Sequence, residues 1–400
     1  MVMANRPEVR TAAAPVVAVD TVLLAHQMVA ALARVPFRRP LHGRSSRLSN
    51  FGTSLTREVV RSFMGYCSSL PIAEFRSIEL LLDDLCRVVM APVVSARHVA
   101  HTVIEIGGVP GILYVPRGAA PHGVVLYLHG GGYIGTSPTM YAFFTSRICA
   151  ATRRAVFVAD YRLAPEFPFP AGLIDAAHVL WALVEVGVPK ERLFVAGDSG
   201  GGGLATSLVL AAPEDVHLVR PAAMILFSPE VDLRLDEPSV TANAESDILP
   251  WNIPTASYLH GFDASSRYVS PVDADFAGFP PTVISWGGDE MFRDPIRRSW
   301  NGWRRPVSPP TRTKCRECSM SSRSSCRGPR RAGPSTTTSP GSLSSSWRER
   351  PPSTRKCWIG CSAVDPANDG RPRLVDFSVR PRDARFIRGI VALRRNVGAT

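Results

Sequence analysis

The stretch VAGDSGGGGLA, residues 195–205, decides how the rest of this sequence is interpreted. An apolar run precedes it and a helical pattern follows, so Ser199 is predicted directly after a strand and at the start of a helix. Gly197, Ser199 and Gly201 form a G-x-S-x-G arrangement, whose small residues allow a strained turn that exposes a serine hydroxyl. A glycine-rich turn of a nucleotide-binding fold has a similar pattern, so this motif alone leaves both functions open.

A second glycine-rich loop favours hydrolytic chemistry over nucleotide binding. LYLHGGGYIG, residues 126–135, follows a predicted strand about seventy residues before Ser199. Such a loop can supply backbone N–H donors to an oxyanion, and glycine is required because the substrate carbonyl must approach the backbone closely. We interpret His129 in this loop as a structural residue that braces it, and not as a general base.

Alternating strands and helices predict the fold class. The apolar runs GILYVP, GVVLYLHG, AVFVADYRLAPE, RLFVAGDS, AAMILFSPE and PTVISWGGDE each end at Gly, Asp or Pro and are separated by helical stretches. This pattern predicts an α/β fold with a mostly parallel sheet and helices on both faces. We expect a helical N-terminal cap over residues 1–95, the sheet domain over residues 96–298 and a basic tail over residues 299–400.

Three blocks match a known family in order and spacing: HGGGYIG at residues 129–135, DYRLAPEFPFPAGLIDA at residues 160–176 and GDSGGG at residues 197–202. The sequence resembles the hormone-sensitive-lipase-like family of α/β hydrolases, which includes carboxylesterases and lipases. The resemblance implies hydrolysis of short-to-medium acyl esters with no metal and no organic cofactor. It also implies Ser199 as the nucleophile and the N–H groups of Gly130, Gly131 and Gly200 as the oxyanion hole. The family usually has Ala where this sequence has Gly200.

The acid of a serine triad is expected after the next-to-last strand, in VISWGGDEMFRDP, residues 283–295. A carboxylate there would hold the imidazole tautomer and stabilise the imidazolium. The family pattern is Asp-x-Leu-x-Asp, and counting back from Asp294 places the acid at Glu290. Asp289 is the alternative, and the carboxylate that is not used would be a solvated turn residue.

The sequence lacks a histidine where the family places its general base. All nine histidines precede Glu290. Without a base, the Ser199 hydroxyl is a weak nucleophile. The sequence therefore predicts that the chain as given is inactive as an esterase.

The last hundred residues suggest why the histidine is missing. Residues 301–400 carry 21 of the 46 Lys and Arg residues but only 6 of the 34 Asp and Glu residues, and Ser, Pro and Arg dominate. Codons for this stretch, read in another frame, permit a last strand, a histidine at the junction of Ser319 and Met320, and a closing helix. Our hypothesis is a frameshift near Arg298, so that the tail is an out-of-frame translation, disordered, with the last strand and helix missing.

Other interpretations of the two ends remain open at this point. Four tail cysteines could form a zinc site, namely Cys315, Cys318, Cys357 and Cys361. The Arg-rich tail could also bind nucleic acid or anionic lipid. A non-catalytic protein that keeps an ester pocket and uses this tail as an anchor is the alternative function. We expect a small-molecule ester as partner and no nucleic acid. The apolar N-terminal run, interrupted by Asp20 and His26, predicts a surface helix of a cytoplasmic protein and leaves room for loose membrane association.

Overall fold

The structure, a computed structural model, describes residues 10–37, 47–118, 120–211, 220–249, 255–303 and 314–315. The helices are α1 (Ala14–Arg34), α2 (Arg47–Cys67), α3 (Ile72–Ser95), α4 (Ala142–Thr152), α5 (Ala171–Glu185), α6 (Ser199–Ala211), α7 (Pro238–Ala242), α8 (Thr255–Leu259) and α9 (Arg293–Trp303). The strands are β1 (Val99–Ile106), β2 (Val109–Pro116), β3 (Val124–Leu128), β4 (Ala155–Ala159), β5 (Leu193–Asp198), β6 (Ala223–Phe227), β7 (Thr282–Ser285) and β8 (Lys314–Cys315).

The strands form one sheet in the order β1-β2-β4-β3-β5-β6-β7-β8. β2 pairs antiparallel with β1 and β4, and the remaining neighbours pair parallel. The six strands predicted from apolar runs are β2 to β7. The expected α/β fold with a mostly parallel sheet is therefore confirmed.

The central strands are apolar on both faces because helices cover both. All five residues of β3 are buried. Leu126 and Leu128 pack into the cluster that includes α5 and α6, whereas Val125 and Tyr127 pack into a second cluster with α4 on the opposite face. This alternation is what a strand with a period of two residues requires when both faces are covered.

The N-terminal helices α1, α2 and α3 form the expected cap, and α3 ends at Ser95. Leu24, Cys67 and Ile78, one from each helix, are buried in a small core of their own. The segment Ala14–Phe37 is long and apolar enough to cross a membrane by length and composition, and 17% of its most apolar window is buried. Core helices and signal sequences share this property, so both loose membrane association and a cytoplasmic location stay predictions.

The first strand was not predicted from the sequence. β1 pairs with β2 along its whole length, from Val99 opposite Pro116 to Ile106 opposite Val109. Four consecutive residues of β1, at 100–103, are exposed. A strand at the sheet edge with so little burial lacks the apolar run on which the prediction relied.

Two expectations about the region after Arg298 need correction. Helix α9 continues to Trp303, because Trp300 and Trp303 are both buried in the core cluster. We also expected no last strand, but Lys314 and Cys315 form β8, which pairs parallel with β7. The rest of the tail, including the junction of Ser319 and Met320 and the other three cysteines of the zinc hypothesis, lies outside the described residues.

Candidate active site

Ser199 occupies a strained turn at the carboxyl edge of the sheet. β5 ends at Asp198 and α6 begins at Ser199, whose φ of 50° lies in the left-handed region. A non-glycine residue in that region is held there by its surroundings, and such strain is concentrated at functional sites. The hydroxyl lies at a helix N-terminus, where negative charge that develops on a ligand is stabilised.

Glycines make this turn possible. A Cβ at Gly201 would lie 2.2 Å from the carbonyl oxygen of Leu128 and 2.3 Å from that of His129. A Cβ at Gly197 would lie 2.5 Å from the carbonyl oxygen of Gly201. The close backbone approach that the G-x-S-x-G spacing predicts is therefore present, and it presses the start of α6 against the end of β3.

The loop after β3 is fastened to the serine turn through Asp198. The N–H of Gly130 donates to Oδ1 of Asp198 over 3.1 Å. The hydroxyls of Tyr127 and Tyr141 donate to Oδ1 and Oδ2 of the same carboxylate over 2.7 and 2.8 Å. This corrects one prediction, because the Gly130 N–H is already used by Asp198 and is not available to an oxyanion. Gly131 and Gly132, in contrast, line the same cavity as Ser199.

Replacing Asp198 by Asn is expected to lower the free energy of unfolding by about 1–2 kcal/mol, because Tyr141 loses its charged acceptor. Chemical denaturation of Asp198→Asn measures the loss. Tyr141→Phe removes the same hydrogen bond from the other side, so the double variant should lose less than the sum of the single losses. Fully additive losses would contradict the coupling of the loop to the turn.

His129 is a structural residue, as predicted. Its Nδ1 lies 3.0 Å from the carbonyl oxygen of Gly130 and 2.9 Å from Oγ1 of Thr136. The ring is fully buried and stacks on Tyr161 with 4.5 Å between ring centroids. Burial lowers the pKa of His129 to about 4, so the imidazole is neutral and braces the loop.

Of the two candidate acids, Glu290 is more deeply buried than Asp289. Phe227 at the end of β6 lies opposite both Asp198 of β5 and Ser285 of β7, so the turns after these strands share one edge. Glu290 is 7% exposed, and its Oε1 accepts a hydrogen bond of 2.9 Å from the hydroxyl of Ser228. Asp289 is half-buried, and its main-chain carbonyl accepts the hydroxyl of Ser246. Strands two positions apart are separated by about 10 Å, which leaves room for an imidazole between Ser199 and this acid.

The loop that holds Glu290 is tied to the cap. Asn243 donates its side-chain N–H to the carbonyl oxygen of Glu290 over 2.8 Å. The guanidinium of Arg61, on α2, donates to the carbonyl oxygens of Ala244, Asp247 and Leu249, which lie with Asn243 in the segment after α7. The cap therefore contacts the loop of Glu290 indirectly, through the segment after α7. These contacts were missed in the sequence because they join residues up to 188 positions apart.

A cavity of about 180 Å³ connects the cap to the serine turn. Its walls are mostly apolar, and the cap supplies Phe63, Phe75 and Ile78. Ser199 and Glu230 are at its sheet end. A cavity of this size and character suits a small, largely apolar ligand.

The missing base remains missing in the part of the chain that the structure describes. None of the described side chains that line the cavity is a histidine. The position where the alternative frame permits one, at Ser319 and Met320, is outside the described residues. The site thus has a strained serine, a buried carboxylate and a donor-rich loop, without a described imidazole between them.

Comparisons with known proteins agree with the α/β-hydrolase fold. A family model of the α/β hydrolase fold matches residues 125–306. An acetyl-hydrolase of Streptomyces hygroscopicus is 37% identical over an alignment of 180 residues that covers 43% of this chain and 59% of the relative. An esterase of Acinetobacter venetianus is 30% identical over 255 residues, 62% of this chain and 80% of the relative. The match therefore spans about three fifths of the acetyl-hydrolase and four fifths of the esterase.

The fold is also similar to solved structures. A hormone-sensitive lipase from a metagenome library is 30% identical, with a TM-score of 0.52 over 60% of this chain and 88% of that one. The described sheet is therefore that of an established α/β architecture.

Proposed function

The chain belongs to the hormone-sensitive-lipase-like family of α/β hydrolases, and from this membership we propose that its site is built to hydrolyse carboxylic esters with short-to-medium acyl chains. Ser199 is the nucleophile of this proposal. The observation that supports it most strongly is that Ser199, in a strained conformation at the N-terminus of α6, lines an apolar cavity. The volume of about 180 Å³ supports a small acyl or alcohol group over a long lipid chain.

The reaction would proceed through an acyl-enzyme. Oγ of Ser199 attacks the ester carbonyl carbon as its proton passes to a base, and the carbonyl oxygen becomes an oxyanion. In our proposal the N–H groups of Gly131 and Gly200 stabilise that oxyanion, helped by the N-terminus of α6. The alcohol leaves with a proton, and water then cleaves the acyl-serine bond and releases the acid.

Glu290 is proposed as the residue that orients the base. A buried carboxylate in this place fixes the tautomer of an imidazole and stabilises it when it is protonated. The imidazole itself is proposed to come from the alternative reading frame after Arg298. The chain as given then keeps the ester-binding part of the site but lacks the group that activates Ser199.

Labelling by diethyl p-nitrophenyl phosphate tests this assignment, because an activated serine takes the phosphoryl group and releases p-nitrophenolate. A chain with the alternative frame restored after Arg298 should release one p-nitrophenolate per chain and carry the adduct on Ser199. Without a base, the chain as given should react at least about 100-fold more slowly. Mass spectrometry locates the adduct, and Ser199→Ala in the restored chain is the matched control.

Other outcomes would contradict separate parts of the proposal. An adduct on another residue would contradict the nucleophile. Equally fast labelling of Ser199 in the chain as given would contradict the missing base. Binding of p-nitrophenyl butanoate by a restored chain that is never labelled would favour the non-catalytic ester-binding alternative.

A further inference from the structure

Glu230 lies beside the proposed nucleophile but has no place in the mechanism above. It follows β6 by three residues, and its main-chain N–H donates to the carbonyl oxygen of Ser199 over 2.9 Å. Its neighbour Pro229 packs against the start of α6, where a Cβ on Gly202 would lie 2.8 Å from the proline Cβ. The position of Glu230 relative to the serine turn is therefore fixed by the backbone.

The carboxyl group of Glu230 is buried without a partner. The residue is 1% exposed, and neither carboxyl oxygen has a hydrogen-bond partner among the described residues. The nearby hydroxyl of Tyr133 donates to the main-chain carbonyl of Glu230 over 3.4 Å, and so does not satisfy the carboxyl. Burial raises the pKa of Glu230 to about 8, so the group is mostly a neutral acid at pH 7.

Such a group is costly unless a ligand uses it. Burying a polar group without a hydrogen bond is unfavourable, because the group gives up its hydrogen bonds to water and gains none in the protein. Glu230 lines the same cavity as Ser199, where most of the cap side chains are apolar and only Ser68 and Glu79 are polar. In a mostly apolar pocket, a buried polar group without a protein partner can fix the orientation of the ligand and select for it.

We propose that the Glu230 carboxyl binds a neutral hydroxyl group of the substrate, so that this site prefers hydroxyl-bearing esters to apolar esters of the same shape. A carboxylic acid can donate its proton to a hydroxyl oxygen and accept the hydroxyl hydrogen in return. A hydroxyl suits this neutral, buried group better than an ammonium, which would need two ions to lose their hydration in an apolar cavity. The proposal rests on the ester-binding role of the cavity and adds its substrate class.

Equilibrium binding to the Ser199→Ala chain tests this preference without hydrolysis. Methyl 3-hydroxybutanoate and methyl 3-methylbutanoate differ by a hydroxyl in place of a methyl group on the acyl side. On the alcohol side, 2-hydroxypropyl acetate and 2-methylpropyl acetate differ in the same way. Titrations followed by ligand NMR should show at least about tenfold tighter binding of the hydroxyl ester in one of the two pairs.

Two variants separate the contact from the shape of the cavity. Glu230→Met, in the Ser199→Ala background, fills similar space without polar atoms and should abolish or reverse the preference. Glu230→Gln keeps a donor and an acceptor and should retain most of it. Circular dichroism confirms that each variant is folded, and the isosteric pairs test the proposal in the parent chain even if Glu230→Met does not fold.

The outcomes distinguish this inference from the function on which it rests. Binding of all four esters without a hydroxyl preference would overturn the role of Glu230 and leave the ester site intact. Failure of every ester to bind would overturn both. Tighter binding of methyl 3-aminobutanoate than of the hydroxy ester would show an ionised carboxylate and would overturn the neutral contact.

Discussion

Reading the codons after Arg298 in the alternative frame is expected to raise the rate of p-nitrophenyl butanoate hydrolysis at least about 10⁴-fold over the chain as given. Loss of one member of a serine triad typically costs a factor of this size or more, because the members act as a unit. Ser199 and Glu290 already lie at one edge of the sheet, after β5 and β7. In this hypothesis, a base is the one catalytic group that the restored segment adds.

Restoration could also act through the fold, so the control must separate structure from chemistry. The restored segment replaces β8 and is expected to pair with β7 at Ile284 and Ser285, where β8 pairs in the chain as given. Replacing the restored histidine by glutamine keeps this segment but removes the base, and should return the rate to that of the chain as given. Ser199→Ala in the restored chain should do the same.

Turnover by the chain as given would contradict this account. If the given chain hydrolyses the ester at the restored rate and Ser199→Ala abolishes that activity, a base exists elsewhere in it. The codon argument would then be wrong, and the tail would have to be treated as functional protein. Equal background rates in both chains would instead contradict the frame hypothesis.

The parts of the fold that the sequence predicted are those with a strong local pattern. β3 and β5 are continuous apolar runs that end at a Gly or Asp, and each is buried on both faces. β1 alternates weakly and exposes residues 100–103, so its pairing with β2 had no comparable signal. The expected end at Arg298 was wrong because burial of Trp300 and Trp303 holds α9 together despite the change in composition.

In the site, too, the sequence predicted only what a local pattern specifies: it identified residue types but not the directions of their hydrogen bonds. The motifs identified Ser199 and the glycine-rich loop, but a motif does not specify where an N–H points. The Gly130 N–H was therefore assigned to an oxyanion, although it donates to Asp198. Glu230 was overlooked because an acid after a strand usually belongs to a solvated turn, whereas this one is buried and lies against Ser199 and Gly203 of α6.

The same close packing predicts that Gly201→Ala will prevent stable folding, whereas Gly200→Ala will be tolerated. A Cβ at Gly201 meets two main-chain oxygens at 2.2 and 2.3 Å, so α6 would have to move away from the end of β3. A Cβ at Gly200 meets Tyr133 no closer than 3.2 Å. We expect a loss of more than about 4 kcal/mol for Gly201→Ala and a change within about 1 kcal/mol for Gly200→Ala.

Urea and thermal unfolding of both variants measure this contrast. If Gly201→Ala does not accumulate as folded protein, the prediction is confirmed only when Gly200→Ala accumulates normally. Equal stability of the two variants would contradict the packing. The contrast matters for the proposed chemistry, because Leu128 and His129, which Gly201 touches, lead directly into the loop of Gly131 and Gly132. Because Gly201 lets α6 approach the end of β3, we expect the same backbone contact to stabilise the fold and to hold Ser199 near its proposed oxyanion donors.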